Sequence, residues 1–177
     1  MKKIIPILIS AIFFLSFFPG GQPGDYDTNA KMKAIFVYNF TKYFDWPQSY
    51  KEGDFVIGTL GESTLSPELM NISKTKMAGA QKFNIKQYAS VNEINKCHVL
   101  IIPPELNVNL NEVLKKIKGN STLLITEKSG YAKMGSVINF VVKNNTQQFE
   151  FNKNSADKCD LKVSSKLLAL KQAIVVE

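Results

Sequence analysis

The sequence predicts an α/β fold: a single-domain sandwich with a mixed, mainly parallel sheet flanked by helices and one antiparallel hairpin near the C-terminus. Three observations predict it. Segments of helical periodicity alternate with short strand-like runs through residues 28–126, the order that gives parallel strands joined by right-handed crossovers. The run His98-Val-Leu-Ile-Ile102 is apolar almost throughout, as a strand covered on both faces must be. Finally, two strand patterns flank Lys143-Asn-Asn-Thr146, whose adjacent asparagines suit a hairpin turn.

The first helix is expected from about Thr28 to Phe44. On a helical wheel Met32, Phe36, Val37, Phe40, Tyr43 and Phe44 share one face, while Tyr38, Thr41 and Lys42 fall opposite. Pro47 closes the run, because it lacks an N–H and pushes Trp46 out of the α region. A strand follows at Phe55–Leu60. Ser66-Pro67-Glu68 then reads as a helix start, with a capping hydroxyl, proline in the first turn and an acid beside it. That helix fades near Met77-Ala-Gly79 and gives way to a strand at Phe83–Tyr88. A helical turn around Ser90–Asn95 leads into the apolar strand that Pro103-Pro104 ends.

Leu106–Ile117 is amphipathic, and Thr122–Thr126 is the next strand. Val137–Val142 and Gln147–Phe151 form the hairpin arms. The chain is expected to finish with one helix, capped near Asn154 or Ser155 and running to about Ala173, with Leu161, Leu167, Leu168 and Leu170 as its apolar positions.

Before all this stands Lys2-Lys3, an apolar run from Ile4 to Phe18, and Pro19-Gly20-Gly21. A basic start, a short apolar segment and a helix-breaking exit are the pattern of a secretory signal peptide, and the run falls short of the ~20 residues of a membrane span. The organisation read from this is a signal peptide over residues 1–21, a flexible leader over 22–27 and one domain over 28–177. The expected location is the periplasm.

The formal charge of +7 falls to +5 once Lys2 and Lys3 are removed with the signal. All 22 basic residues are lysine. Bidentate reading of phosphate or guanine belongs to arginine, so nucleic acid is not an expected partner. Solubility, or attraction to an anionic envelope surface, is a better match for the charge. Cys97 and Cys159 would meet an oxidising compartment, where pairing is common. The expected topology places Cys97 and Cys159 on opposite rims of the sheet, beyond the ~7 Å reach of a disulfide, so no disulfide is expected.

Motifs that suggest chemistry fail on spacing. Gly58-Thr-Leu-Gly61-Glu-Ser63 lacks the third glycine of a dinucleotide fingerprint and the Gly-Lys-Ser/Thr of a P-loop, and reads as a tight strand-to-helix turn. His98 is the only histidine, which excludes a multi-histidine metal site. Its neighbour Cys97 should point to the opposite face of the strand, preventing a Cys–His pair. Ser164-Ser165-Lys166 sits where the lysine is solvated, unsuited to a Ser–Lys dyad. Asp45, Glu127 and Asp157 form no recognisable carboxylate pair. No catalytic residue, metal ligand or cofactor is expected.

Seven segments in order resemble the YfiR family of exported bacterial proteins. They are Lys33-Ala-Ile-Phe-Val-Tyr-Asn-Phe-Thr-Lys-Tyr-Phe-Asp-Trp-Pro47, then Ile57-Gly-Thr-Leu-Gly61, then Cys97-His-Val-Leu-Ile-Ile102. Leu123-Leu-Ile-Thr126 follows with Gly130-Tyr-Ala and Gly135, then Ile138-Asn-Phe140, Phe149-Glu-Phe-Asn152 and Leu161-Lys-Val-Ser-Ser-Lys-Leu-Leu168.

The resemblance implies a non-enzymatic periplasmic regulator. It would bind the periplasmic portion of a membrane-anchored signalling protein, a diguanylate cyclase or a sensor kinase, and so restrain cyclic-di-GMP output and biofilm formation. An outer-membrane lipoprotein would be the partner that sequesters it, and a homodimer is left open. Relatives can pair a cysteine equivalent to Cys97 with one near Ile57, where this chain has none. Partner binding is expected at Tyr38, Asn39, Lys42 and Trp46, the polar back and exit of the first helix. The alternative is a periplasmic small-molecule-binding module, acting with a sensor kinase or transport system through the C-terminal edge of the parallel strands.

Overall fold

A computed structural model describes residues 28–177; the expected signal peptide and leader lie outside them. In chain order the elements are α1 (Thr28–Tyr43), β1 (Phe44–Asp45), a 3₁₀ turn (Gln48–Tyr50), β2 (Phe55–Leu60), α2 (Leu65–Ser73), β3 (Met77–Ala78) and β4 (Gln81–Tyr88). A second 3₁₀ turn (Val91–Glu93) precedes β5 (Val99–Ile102), α3 (Leu110–Lys116), β6 (Leu123–Thr126), α4 (Tyr131–Met134) and β7 (Ile138–Lys143). The chain continues through β8 (Thr146–Asn152), α5 (Lys153–Lys158), β9 (Lys162–Val163), α6 (Ser165–Leu168) and β10 (Ala173–Val176). None of the described helices is long and apolar enough to cross a membrane.

Eight strands form one mixed sheet in the order β10-β8-β7-β6-β5-β2-β4-β3. Strands β4, β2, β5, β6 and β7 run parallel. The hairpin reverses direction as expected: Asn144 and Asn145 both take positive φ, 50° and 58°, which the short polar side chain of asparagine tolerates and a two-residue primed turn requires. β8 is antiparallel to β7, and β10 returns parallel to β8. A further two-stranded ribbon joins β1 to β9, tying the exit of α1 to the last third of the chain.

Each face of the sheet has its own core. Ala34, Val37 and Phe40 of α1, Leu65 and Leu69 of α2, Ala156 of α5 and Leu167 of α6 cover one face together with Phe140, Phe149 and Phe151. Leu110, Val113 and Ile117 of α3 cover the other, over Leu60, Leu100, Ile102 and Leu124. β5 is buried along its whole length between them, as its composition demanded. Gly58 lets one strand accept its neighbour's ring: a Cβ there would lie 2.5 Å from Cε2 of Tyr88. Gly61 turns the chain into α2 at φ +74°, so the Gly58–Ser63 segment is the strand-to-helix turn.

Four sequence expectations are corrected. The buried stripe of α1 is Ala30, Ala34, Val37 and Phe40, and Met32 is 45% exposed, because the sheet meets a face rotated away from it. α3 starts at Leu110, where Asn109 caps it by accepting the Asn111 N–H at 3.0 Å.

The single closing helix is instead α5, β9, α6 and β10. The Asn152 side chain caps α5 by accepting the Ser155 N–H, Asp160 breaks it at φ +53°, and Ser164 caps a second start by accepting the Lys166 N–H. Ile174-Val-Val176, β-branched throughout, then goes to strand.

The fourth correction concerns the cysteines. Because β8 runs against β5, its exit lies on the rim where β5 begins, so Cys97 and Cys159 share one rim rather than facing each other across the sheet. Both thiols are unpaired.

Candidate functional site

Of the four residues expected at the site, Tyr38, Asn39 and Lys42 sit together near the end of α1, whereas Trp46 lies apart, beyond the helix exit. Tyr38 and Asn39 each lie one helical turn before Lys42, at i,i+4 and i,i+3, the spacings that let side chains meet. Lys42 Nζ stands 4.2 Å over the Tyr38 ring and donates to Asn39 Oδ1 at 3.3 Å. Tyr38 is half-buried rather than open, its ring edge-on to Phe83 of β4 at 6.1 Å. Lys42 is exposed and Asn39 half-buried.

Trp46 is 6% exposed and belongs to an aromatic nest. It meets Phe55 edge-on at 5.0 Å and lies 6.3 Å from Phe44 and 6.0 Å from the ring of His98. Its indole Nε1 is buried without a hydrogen-bond partner. A buried N–H is normally paired, and leaving one unmade costs about 1–3 kcal/mol. Trp46 lines two clefts at once. One, of about 310 Å³, runs between Thr41, Asp45, Phe55 and Gln81. The other, of about 280 Å³, is bounded by Pro47, Gln48, Asp160 and Lys162.

His98 is what holds this exit in place. Its Nδ1 accepts the Val56 N–H at 3.0 Å, so Nε2 carries the proton and donates to Tyr50 O at 2.7 Å. Phe55 stacks on the imidazole at 4.1 Å and Tyr50 meets it edge-on at 5.2 Å. Burial lowers the pKa of His98; the Tyr50 hydrogen bond opposes this and Lys96 reinforces it.

The 3₁₀ turn is clamped from other sides too. The Tyr50 hydroxyl accepts the Ser121 N–H at 3.0 Å, and Lys96 Nζ sits 4.1 Å over the Tyr50 ring. Burial raises the Tyr50 phenol above its ordinary range. The signal for this nest was the density of aromatics in residues 44–55, but its hub arrives from more than forty residues away.

Cys97 belongs to the opposite core, with Leu60, Tyr88 and Leu100, so it cannot engage His98. Burial pushes its thiol up to about 12, a state without nucleophilic character. Ser164 is engaged as a cap, and Lys166 lies exposed. The described residues contain no cluster of metal-ligating side chains.

A separate, polar cleft of about 470 Å³ opens beyond the C-terminal end of β6. Lys33 of α1 pairs there with Glu127, whose side chain is 4% exposed. Thr126 Oγ1 donates to Asn139 Oδ1 at 2.8 Å, and Asn139 Nδ2 donates to Glu150 Oε2 at 3.0 Å. Gln147, 5% exposed, lines the same cleft; its Nε2 donates to Val141 O and Gln148 O, and its Oε1 is buried without a partner. None of these residues was singled out as a ligand contact from the sequence, because β6, β7 and β8 bring them together only in the folded sheet.

A protein-family model described as YfiR/HmsC-like matches residues 30–171, nearly the whole described chain. No curated protein matches it.

Proposed function

The chain belongs to the YfiR/HmsC-like family, and from that membership we propose that it is a periplasmic, non-enzymatic regulator of cyclic-di-GMP signalling. It acts by binding the periplasmic portion of a membrane-anchored diguanylate cyclase, with a sensor kinase as the other partner of that kind and an outer-membrane lipoprotein as the protein that sequesters it. A regulator of this sort moves its partner only as far as it favours one of the partner's conformations over another. We place the contact on the back of α1 and at its exit, through Tyr38, Asn39, Lys42 and Trp46.

One observation supports that placement: the buried, unpartnered indole N–H of Trp46 between two clefts. A partner carbonyl reaching it would satisfy a donor that the free protein leaves unmade. Trp46→Phe keeps an aromatic ring in the nest and removes the N–H. Relief of the unmade N–H offsets the loss from the smaller ring, so we expect the stability to change by less than about 2 kcal/mol, with about a tenfold loss of partner capture in periplasmic cross-linking pull-downs. Capture at the wild-type level by folded Trp46→Phe, Tyr38→Ala and Lys42→Ala variants would move the contact elsewhere.

The cleft beyond β6 supports the reading as a small-molecule-binding module acting with a sensor kinase or transport system. It lies where parallel sheets place their ligands, and the buried Gln147 Oε1 offers an acceptor to a ligand N–H or O–H. A panel of small polar metabolites should raise the melting temperature of the wild-type protein, and Gln147→Met should abolish the shift. A flat response across the panel removes this reading and leaves the first untouched.

A further inference from the structure

One further cleft, of about 390 Å³, shares no residue with the Trp46 exit or the cleft at Gln147. Its volume is within the usual range for a small-molecule site. It opens beside the start of β6, at Leu124, so it lies toward the other rim of the sheet from the polar cleft. Three helices end on it: Ile117, Gly135 and Cys159, the residues that terminate α3, α4 and α5, all line it. Gly135 has φ +125°, and a Cβ on it would lie 2.9 Å from Leu114 Cδ1, so glycine is what lets α4 end against that side chain.

The wall is largely apolar. Ile117 and Leu124 are almost fully buried, Leu114 is half-buried, and Met134 is 51% exposed. An unbranched, polarizable methionine adapts its shape to what it covers. Charge marks the mouth. Lys118 and Lys158 line the cleft and are exposed, with stems that extend the apolar wall while their ammonium groups stay in water. None of the described residues lining it is acidic. The acids that flank Lys158 are engaged elsewhere: Asp157 pairs with Lys153 at 2.8 Å, and Asp160 lines the cleft at Pro47.

We propose that this cleft binds a free fatty acid, one unbranched acyl chain lying against Leu114, Ile117, Leu124 and Met134 with its carboxylate at Lys118 and Lys158. The apolar surface is concave and flanked by cations, which suits a single chain with an anionic head. A bilayer surface would instead call for an outward apolar face. Lysines at helix C-termini also offset the carbonyl ends of the helices, so the decisive measurement is selectivity for the ligand's head group rather than stability.

Cys159 supplies the readout, because it is a half-buried free thiol in the cleft wall, whereas Cys97 is buried. Alkylation of Cys159 in the purified exported protein by N-ethylmaleimide, followed by peptide mass spectrometry, should slow at least tenfold in dodecanoate below its micellar concentration. Dodecyltrimethylammonium keeps the chain and inverts the head charge, and should slow it less than twofold. Each methylene added between octanoate and dodecanoate should tighten binding roughly fourfold. Lys118→Glu with Lys158→Glu should invert the head-group preference, each rate being compared with that of the same variant without ligand. Leu114→Trp fills the cleft and should abolish protection by both amphiphiles, its melting curve showing that it is folded. Equal protection by the two head groups in the wild type means detergent adsorption and overturns the proposal, as does protection by neither. Full protection of a folded Leu114→Trp chain puts the ligand elsewhere and likewise overturns it. Co-sedimentation with phosphatidylglycerol vesicles without protection by dodecanoate gives the two lysines to a membrane surface, and the fatty-acid site falls.

Discussion

Phe40→Ala is expected to lower the unfolding free energy by about 3–5 kcal/mol, enough to unfold much of a protein whose total stability lies near the usual 5–15 kcal/mol. Phe40 is fully buried. Its ring lies 5.0 Å from Phe149 in an edge-on contact and 6.1 Å from Phe140 in a stacked one, with Phe36 and Phe44 beside it. Truncation removes ring contacts from both arms of the β7–β8 hairpin and leaves a cavity that the rigid sheet cannot collapse to fill. Urea denaturation followed by far-UV circular dichroism measures it. Lys42→Ala, on the opposite side of the same helix, should shift the midpoint by less than about 0.5 kcal/mol. Equal effects at the two positions would mean that α1 does not pack as described.

The second large effect is expected at His98. His98→Leu leaves the Val56 N–H without its acceptor and Tyr50 O without its buried donor, for a loss of about 2–4 kcal/mol. The wild-type protein should also show a pH dependence that the variant lacks. The folded-state pKa of His98 lies below the unfolded value of 6.5, so the unfolded chain binds more protons between the two. Stability from this group is therefore complete above about pH 6.5, declines as the pH falls below that, and levels off beneath the folded pKa. Urea midpoints taken from pH 7.5 down to 5 would show it. A wild-type profile superimposable on that of His98→Leu would disprove the buried neutral tautomer.

What could be read in advance divides by the range of the interaction responsible. The α/β order, the buried β5 and the hairpin at Asn144–Asn145 follow from periodicity, composition and turn chemistry, all local. At the end of the chain, leucines at 161, 167, 168 and 170 repeat at helical spacing, whereas three single-residue events decide the outcome. These are the Asn152 cap, the left-handed Asp160 and the Ser164 cap.

The rim assignment of Cys159 failed for a different reason: one antiparallel strand reverses every rim that follows it. The cluster at Tyr38, Asn39 and Lys42 was legible as one turn of helix. The setting of Trp46 was not, since Phe55 and His98 reach it from other strands. Nor was the cleft at Gln147, which exists only once three strands are in register.

The packing of α1 also governs the order in which the molecule can assemble. Its aromatic stripe finds Phe140 and Phe149 about a hundred residues further along the chain. When the polypeptide emerges from its N-terminal end, that stripe must stay bare until most of the remaining sequence has appeared. Such long-range closure is slow, and the waiting hydrophobic surface is prone to aggregation. The first helix made is thus among the last to be buried, and a holding chaperone would find its target there.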